Sequence, residues 1–212
     1  MGSVLVHPWD APLDESETWD FVRAQGFGHL VAPGRGRGLP VVVPTQFLAQ
    51  PPGDGVPPVV LLHLARPNPI WTALDENPAV LLSVAGDWAY VPSAWKAVGE
   101  EDPALGIPTT YYAAAQLAGT AALVDDEEGK LEILRAQLAA NEPEIGHADP
   151  SVHRRRLPGI RGIRITVRTV IGKFKYGGNV DDAHRQAIAE RLAMRAGPGD
   201  AAARSHLLRR LT

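Results

Sequence analysis

The run His63-Leu64-Ala65-Arg66-Pro67-Asn68-Pro69-Ile70-Trp71 carries the first chemical signal. A β-type apolar stretch ends near Ala65, and Pro69 suits the first turn of a helix. Arg66 and Asn68 then stand at a strand exit beside a helix N-terminus. A guanidinium, an amide and free backbone N–H groups converging there form an anion site. The alternative is structural: Asn68 caps the helix and Arg66 is a solvated loop charge. A second run is Lys173-Phe174-Lys175-Tyr176-Gly177-Gly178-Asn179. Two lysines flank an aromatic, and the glycines let backbone approach a ligand closely. A strand end and turn, with both lysines on the wet face, is the competing explanation. Tyr90 to Lys96 and Ile107 to Tyr112 add hydroxyls, an ammonium and flat rings, placed either against a planar ligand or in a core.

Other chemistries lack their residues. The chain has no cysteine, so disulfides, thiolate metal sites and cysteine nucleophiles are excluded. The seven histidines show no zinc spacing, and there is no Gly-x-Ser-x-Gly elbow. His63 reads as a polar residue satisfied by its neighbours rather than a metal ligand. No residue stands out as an acid, base or nucleophile, and no metal is expected. The sharpest basic run is Arg154-Arg155-Arg156. It is either a solvated segment or dimer contact, or a nucleic-acid arm.

Charge is asymmetric. Residues 1–146 carry 7 Lys/Arg against 19 Asp/Glu, and residues 147–212 carry 14 against 5. The two parts complement each other within a subunit or across a dimer, or the basic end meets phosphate. The longest apolar runs are strand-sized, far short of the roughly 18 residues of a membrane span. The N-terminus shows no signal-peptide pattern. The expectation is a cytoplasmic protein with no membrane association.

The elements that must position these residues follow from pattern. Asp14 to Gln25 reads as an opening helix with Ser16 as N-cap and Trp19, Phe21 and Val22 on the buried side. Strands are expected over Phe27 to Ala32, Leu39 to Leu48, Val59 to Ala65, and Val80 to Ala85 continuing through Trp88 to Val91. Pro40 and Pro44 suggest an edge or a bulge in the second. A short helix spans Pro69 to Glu76. Pro92 to Pro108 is an irregular excursion of a length often functional. Thr109 to Val124 is a long strand broken near Gly119. A helix with acidic first turn runs to about Asn141. Ile160 to Ile171 is a strand with Ile163, Ile165 and Val167 facing one way. Helices close the chain at Asp181 to Arg195 and Ala201 to Leu211. Strands at regular spacing with few helices favour an antiparallel barrel over a parallel sheet. The fold class expected is mainly β with added α-helices, as one domain over residues 1–212 with a helical segment over about 180–212.

With these runs in this order, the sequence resembles the PaiB-like family of FMN-binding negative transcriptional regulators. The resemblance runs from about His7 to Asn179. It rests on His63–Trp71, on Tyr-x-x-Pro-Ser at Tyr90–Ser93, on Pro-Thr-x-x-Tyr at Pro108–Tyr112, and on Lys173, Lys175 and Asn179. It implies the split β-barrel of pyridoxamine-phosphate oxidases and a homodimer holding flavin at the subunit interface. It implies that Arg66 and Asn68 hold the phosphate, with His63 and Trp71 of the same run also among the cofactor-binding residues. Lys96, Thr109, Thr110 and Tyr111 would line the other wall. Lys173, Lys175 and Asn179 would close the site, from the same or from the second subunit. The chain departs from the family pattern at Val41-Val42, Ala94-Trp95, Thr110-Tyr111 and Gly177-Gly178. FMN is the cofactor implied, with a deazaflavin, haem or no cofactor as alternatives. The role implied is a regulator contacting DNA; a flavin-dependent oxidoreductase is the other reading.

Overall fold

The computed structural model describes residues 4–97, 102–142 and 149–211. Seven strands form one sheet: β1 (Phe27–Ala32), β2 (Val41–Gln46), β3 (Leu48–Gln50), β4 (Val59–Ala65), β5 (Ala79–Val91), β6 (Thr109–Val124) and β7 (Ile160–Lys175). Their spatial order is β2-β1-β5-β6-β7-β4-β3. Six helices accompany them among the described residues: α1 (Glu15–Gln25), α2 (Ile70–Glu76), α3 (Ser93–Lys96), α4 (Glu127–Asn141), α5 (Asp182–Arg195) and α6 (Asp200–Leu208). No helix in these residues is long and apolar enough to cross a membrane.

Backbone contacts divide the chain into two compact units. The first gathers Met1–Phe21, Ala85–Ala115 and Ile171–Thr212, and the second Val22–Val84 and Gln116–Val170. In the second unit β1 runs antiparallel to β2, from Phe27 opposite Gln46 to Ala32 opposite Val41. Pro44 faces His29, which is tolerable because β2 is an edge strand of the sheet. Along β4 and β7 the register runs from Val59 opposite Thr166 to Ala65 opposite Ile160. Alternation then buries Leu30, Val43, Val60, Leu62, Ile163, Ile165 and Val167.

Some expectations need correction. The strand expected over Leu39 to Leu48 is two strands, β2 and β3, on opposite edges of the sheet. β6 is not broken at Gly119. A Cβ there would lie 2.3 Å from the Thr166 carbonyl oxygen, so this glycine admits the β7 backbone instead of ending a strand. β7 runs on to Lys175. Asp14, not Ser16, caps α1: its Oδ1 accepts from Ser16 N at 2.8 Å and Glu17 N at 3.0 Å. The excursion after β5 contains α3, and residues 98–101 lie outside the described part.

The first unit packs the outer parts of β5 and β7 and the start of β6 with α5 and α6. Phe174 and Tyr176 are fully buried there, and Phe21 meets Phe174 edge-on at 5.8 Å. Asp181 caps α5 by accepting from His184 N at 2.8 Å. At the end of α5 the Arg195 fork grips buried Asp200, joining that helix to the start of α6. A buried ion pair lies beneath these helices. Arg210 donates to both Glu17 oxygens, at 3.0 and 2.9 Å. Burial pushes the Glu17 carboxyl up, but hydrogen bonds from His206, Arg210 and Leu13 N outweigh it and hold the pKa at about 2. Asp87 adopts a left-handed conformation at φ 52, held by His206 Nε2 against its carboxylate at 2.8 Å and by the Tyr176 hydroxyl donating to its carbonyl at 2.8 Å.

Candidate functional site

The residues singled out from sequence fall into both units. In the second unit, β4 ends at Ala65 and delivers Arg66 and Asn68 just before α2. Asn68 Oδ1 accepts from Ile70 N at 3.0 Å, so the amide closes the first turn of that helix. Trp71 is buried and donates from Nε1 to the Ala65 carbonyl at 3.1 Å, with the Arg161 guanidinium 5.0 Å from its ring centre. His63 Nδ1 lies 2.7 Å from Gln137 Oε1 on α4, which satisfies one ring nitrogen within the protein.

Arg66 has partners within the protein on all three of its nitrogens. Its two terminal nitrogens reach both oxygens of Asp125, at 2.5 and 3.1 Å, and Nε donates to the Pro158 carbonyl at 2.6 Å. The hydrogen bond from Arg66 holds the Asp125 carboxyl below the usual carboxylate range, against the opposing pull of burial. Arg161 and Lys130 approach the same carboxylate at 3.2 and 3.4 Å. Three cations thus share one acid, beside the strand exit where a phosphate was expected.

In the first unit a cavity of about 370 Å³ opens between the start of β6, the end of β7 and the N-terminal segment. It gathers Lys96 from α3, Thr109 and Tyr111 from β6, Lys175 from β7 and Asn179 from the following turn. Those five were expected to share a site. Lys175 Nζ donates to Thr109 Oγ1 at 2.8 Å. Lys96 is half-buried; burial, then the neighbouring Lys175 charge, pull its pKa below the ordinary lysine value. Neither ammonium is in an ion pair among the described residues. Tyr111 is buried, and its hydroxyl has no hydrogen-bond partner among the described residues. Burial pushes that hydroxyl up to about 12, so it stays a neutral donor.

Two expected members stand apart. Lys173 is buried, not on a wet face. Its Nζ donates to the Leu5 carbonyl at 2.7 Å and lies 5.7 Å from the Tyr112 ring centre, so it anchors the N-terminal segment. Thr110 is half-buried on β6 and does not line the cavity. Conversely, sequence reasoning missed His7, Trp9 and Asp10, which complete the lining. Their only advance signal was an aromatic beside a histidine in a Pro-containing segment at the start of the resemblance. Asp10 is buried, and that burial pushes its carboxyl up against the pull of Lys173, His7 and Lys175.

A domain family described as "Putative FMN-binding domain" matches residues 9–169. The chain belongs to that FMN-binding family. The family match ends before Lys173, Lys175 and Asn179, so those three rest on this chain's own geometry. The protease synthase and sporulation protein PAI 2 of Bacillus subtilis is 24% identical over 181 residues, covering 83% of each chain. Among solved structures, a FAD and heme binding protein from Mycobacterium smegmatis superposes with TM-score 0.58 at 16% identity, covering 79% of this chain and 74% of that one. A flavocytochrome from Azotobacter vinelandii gives TM-score 0.56 at 21% identity, covering 80% and 71%. The fold is a split β-barrel, mainly β with added helices, as the sequence resemblance implied.

The family's cofactor can be tested against this lining. FMN offers a flat ring system and a phosphate. The cavity offers two ammoniums, an amide, the His7 and Trp9 rings and a buried hydroxyl with no partner among the described residues; the Asp10 carboxyl, pushed up by burial, shares the lining. Gly177, at φ +71, would carry a Cβ only 2.5 Å from that hydroxyl, so glycine there makes room for the Tyr111 side chain at the cavity wall. The residues fit the group. When bound, a flavin supplies one- and two-electron redox chemistry that no side chain of this chain provides.

Proposed function

We propose that this protein binds FMN in the first-unit cavity, with Lys96, Thr109, Lys175, Asn179 and Tyr111 as its ligand-facing groups. The single observation carrying the reading is the pair of lysines that line the cavity and have, among the described residues, no ion-paired carboxylate, beside a buried hydroxyl with no partner among those residues. An ammonium held in a partly dry site binds an anionic arm more strongly than one in water. Titrating the purified protein with FMN, a deazaflavin and haem, read by visible spectrum, tests the reading. Saturable perturbation by FMN supports it; perturbation by haem alone overturns it.

The reading extends to a cytoplasmic homodimer that regulates transcription. The similarity to a sporulation protein supports a regulatory role. So does the exposed Arg154-Arg155-Arg156 run on the 3-10 segment Pro150–Gly159: Arg154 pairs with Glu127 at 3.3 Å, and Arg155 and Arg156 suit DNA phosphates. A salt-dependent mobility shift with promoter fragments is expected, and failure to shift at any salt would remove the DNA role. Light scattering should give twice the 22.7 kDa chain mass.

A second reading, a flavin-dependent oxidoreductase, is favoured by the open rim of the cavity. Ile107 is 78% exposed there, so a second reactant can reach a bound ring. Hydride transfer from a nicotinamide donor to an acceptor would support it.

A further inference from the structure

One wall of the cavity is assigned neither by the anion argument nor by the resemblance. The 3-10 turn Pro8–Asp10 brings Trp9 to it, next to His7. The two rings stack, with centroids 4.7 Å apart and planes 10° from parallel. Asp10 N donates to the His7 carbonyl at 2.9 Å, and Pro8 opens the turn, so the backbone beneath the rings is fixed.

The glycine pair after β7 explains why this wall sits where it does. A Cβ on Gly178 would lie 2.0 Å from the Trp9 carbonyl oxygen. Only glycine lets the turn pack there. The side chains missing at Gly177 and Gly178 are therefore replaced by the Tyr111 hydroxyl and the Trp9 turn. Although stacked on His7, Trp9 stays 47% exposed. A large indole, rigidly mounted and half open beside two ammoniums, is a stacking surface for another flat ring.

We propose that Trp9, braced by His7, is the stacking wall for the planar ring of the bound ligand, while Lys96 and Lys175 take its anionic arm. The inference rests on the flavin reading of the same cavity and adds where the ring lies. It also sets the ligand class: a flat ring joined to an anion, preferred over either piece alone.

The test uses the full-length protein and its Trp9→Ala and Trp9→Phe variants. Each is titrated with FMN and with riboflavin, and FMN is then competed off with inorganic phosphate. The readouts are affinity and the emission of the bound flavin. Trp9→Ala should weaken FMN and riboflavin alike by about tenfold, the scale of losing one ring stack. The emission of bound flavin should rise in that variant. Trp9→Phe keeps a flat ring and should stay within about threefold of the parent. Phosphate affinity, measured by competition, should be the same in all three. Unchanged FMN affinity and emission in Trp9→Ala would overturn the inference and leave the flavin reading standing. A loss of phosphate affinity in Trp9→Ala would also overturn it, by tying Trp9 to the anionic arm. No FMN binding by the parent protein would overturn both.

Discussion

The two units carry similar cations and use them differently. In the second, Arg66, Arg161 and Lys130 converge on Asp125, so each has a carboxylate within reach, although one negative charge serves three positive ones. In the first, Arg210 is answered by Glu17 in the core, while Lys96 and Lys175 line a cavity with no ion pair among the described residues. A cation matched by a carboxylate contributes to structure. A cation facing space beside an unpartnered hydroxyl is available to a ligand. The difference teaches that residue type marks where a charge is, and only pairing tells what it is for.

The largest expected effect lies in the first unit's core. Glu17→Gln strands the Arg210 charge where both side chains are only 5% exposed. Loss of one partner of such a pair costs about 3–5 kcal/mol, read as a drop in the urea midpoint. The pH dependence follows in sign. The Glu17 pKa is depressed in the folded state to about 2, from an ordinary 4.5. Its contribution is present above pH 4.5 and is lost as pH falls toward 2. Parent stability should fall across that window, and the Gln variant should lose this component of the acid slope.

Next come the cavity lysines. Lys175→Met or Lys96→Met should each weaken FMN binding by about 1.5–3 kcal/mol, the worth of a charge-assisted hydrogen bond, as measured by calorimetric titration. Riboflavin, which lacks the phosphate, should respond far less. Equal losses for both ligands would blur the contrast between the units.

How much of this was legible beforehand depends on sequence separation. β4 was read residue for residue because Val59 to Ala65 is a short apolar run bounded by Pro and Gly turns. α5 was legible from Asp181 and its apolar face. Lys96, Thr109, Tyr111, Lys175 and Asn179 could be grouped through the family resemblance. What stayed hidden was pairing at a distance: Asp125 sits 59 residues from Arg66, and nothing local announces that their forks match. Lys173 was hidden likewise, because its acceptor is a backbone carbonyl at Leu5. Trp9 was missed because stacking on His7 leaves no period or motif. At Gly119 the sequence read a break, whereas the demand came from the β7 backbone packed against it.

A smaller effect sharpens the comparison through pH. Burial and Lys175 lower the Lys96 pKa, so this ammonium loses its proton at a lower pH than an exposed lysine. FMN affinity should therefore decline as pH rises from neutrality toward the ordinary lysine range, while riboflavin affinity changes little across the same titration. A flat FMN profile would remove Lys96 from the anionic arm. The smallest effect is expected for Arg66→Ala. Arg66 and Asp125 are about 40% exposed, exposed ion pairs contribute little, and Asp125 keeps Lys130 and Arg161 beside it. The melting temperature should barely move, and FMN affinity should not change.

The central claim is that the first unit, not the Arg66 strand exit, grips the anion. Parallel FMN titrations of Lys175→Met and Arg66→Ala, followed by the flavin visible band, test it most directly. Arg66→Ala should bind like the parent, and Lys175→Met should lose at least tenfold. Parent-like binding by Lys175→Met with loss in Arg66→Ala would contradict it.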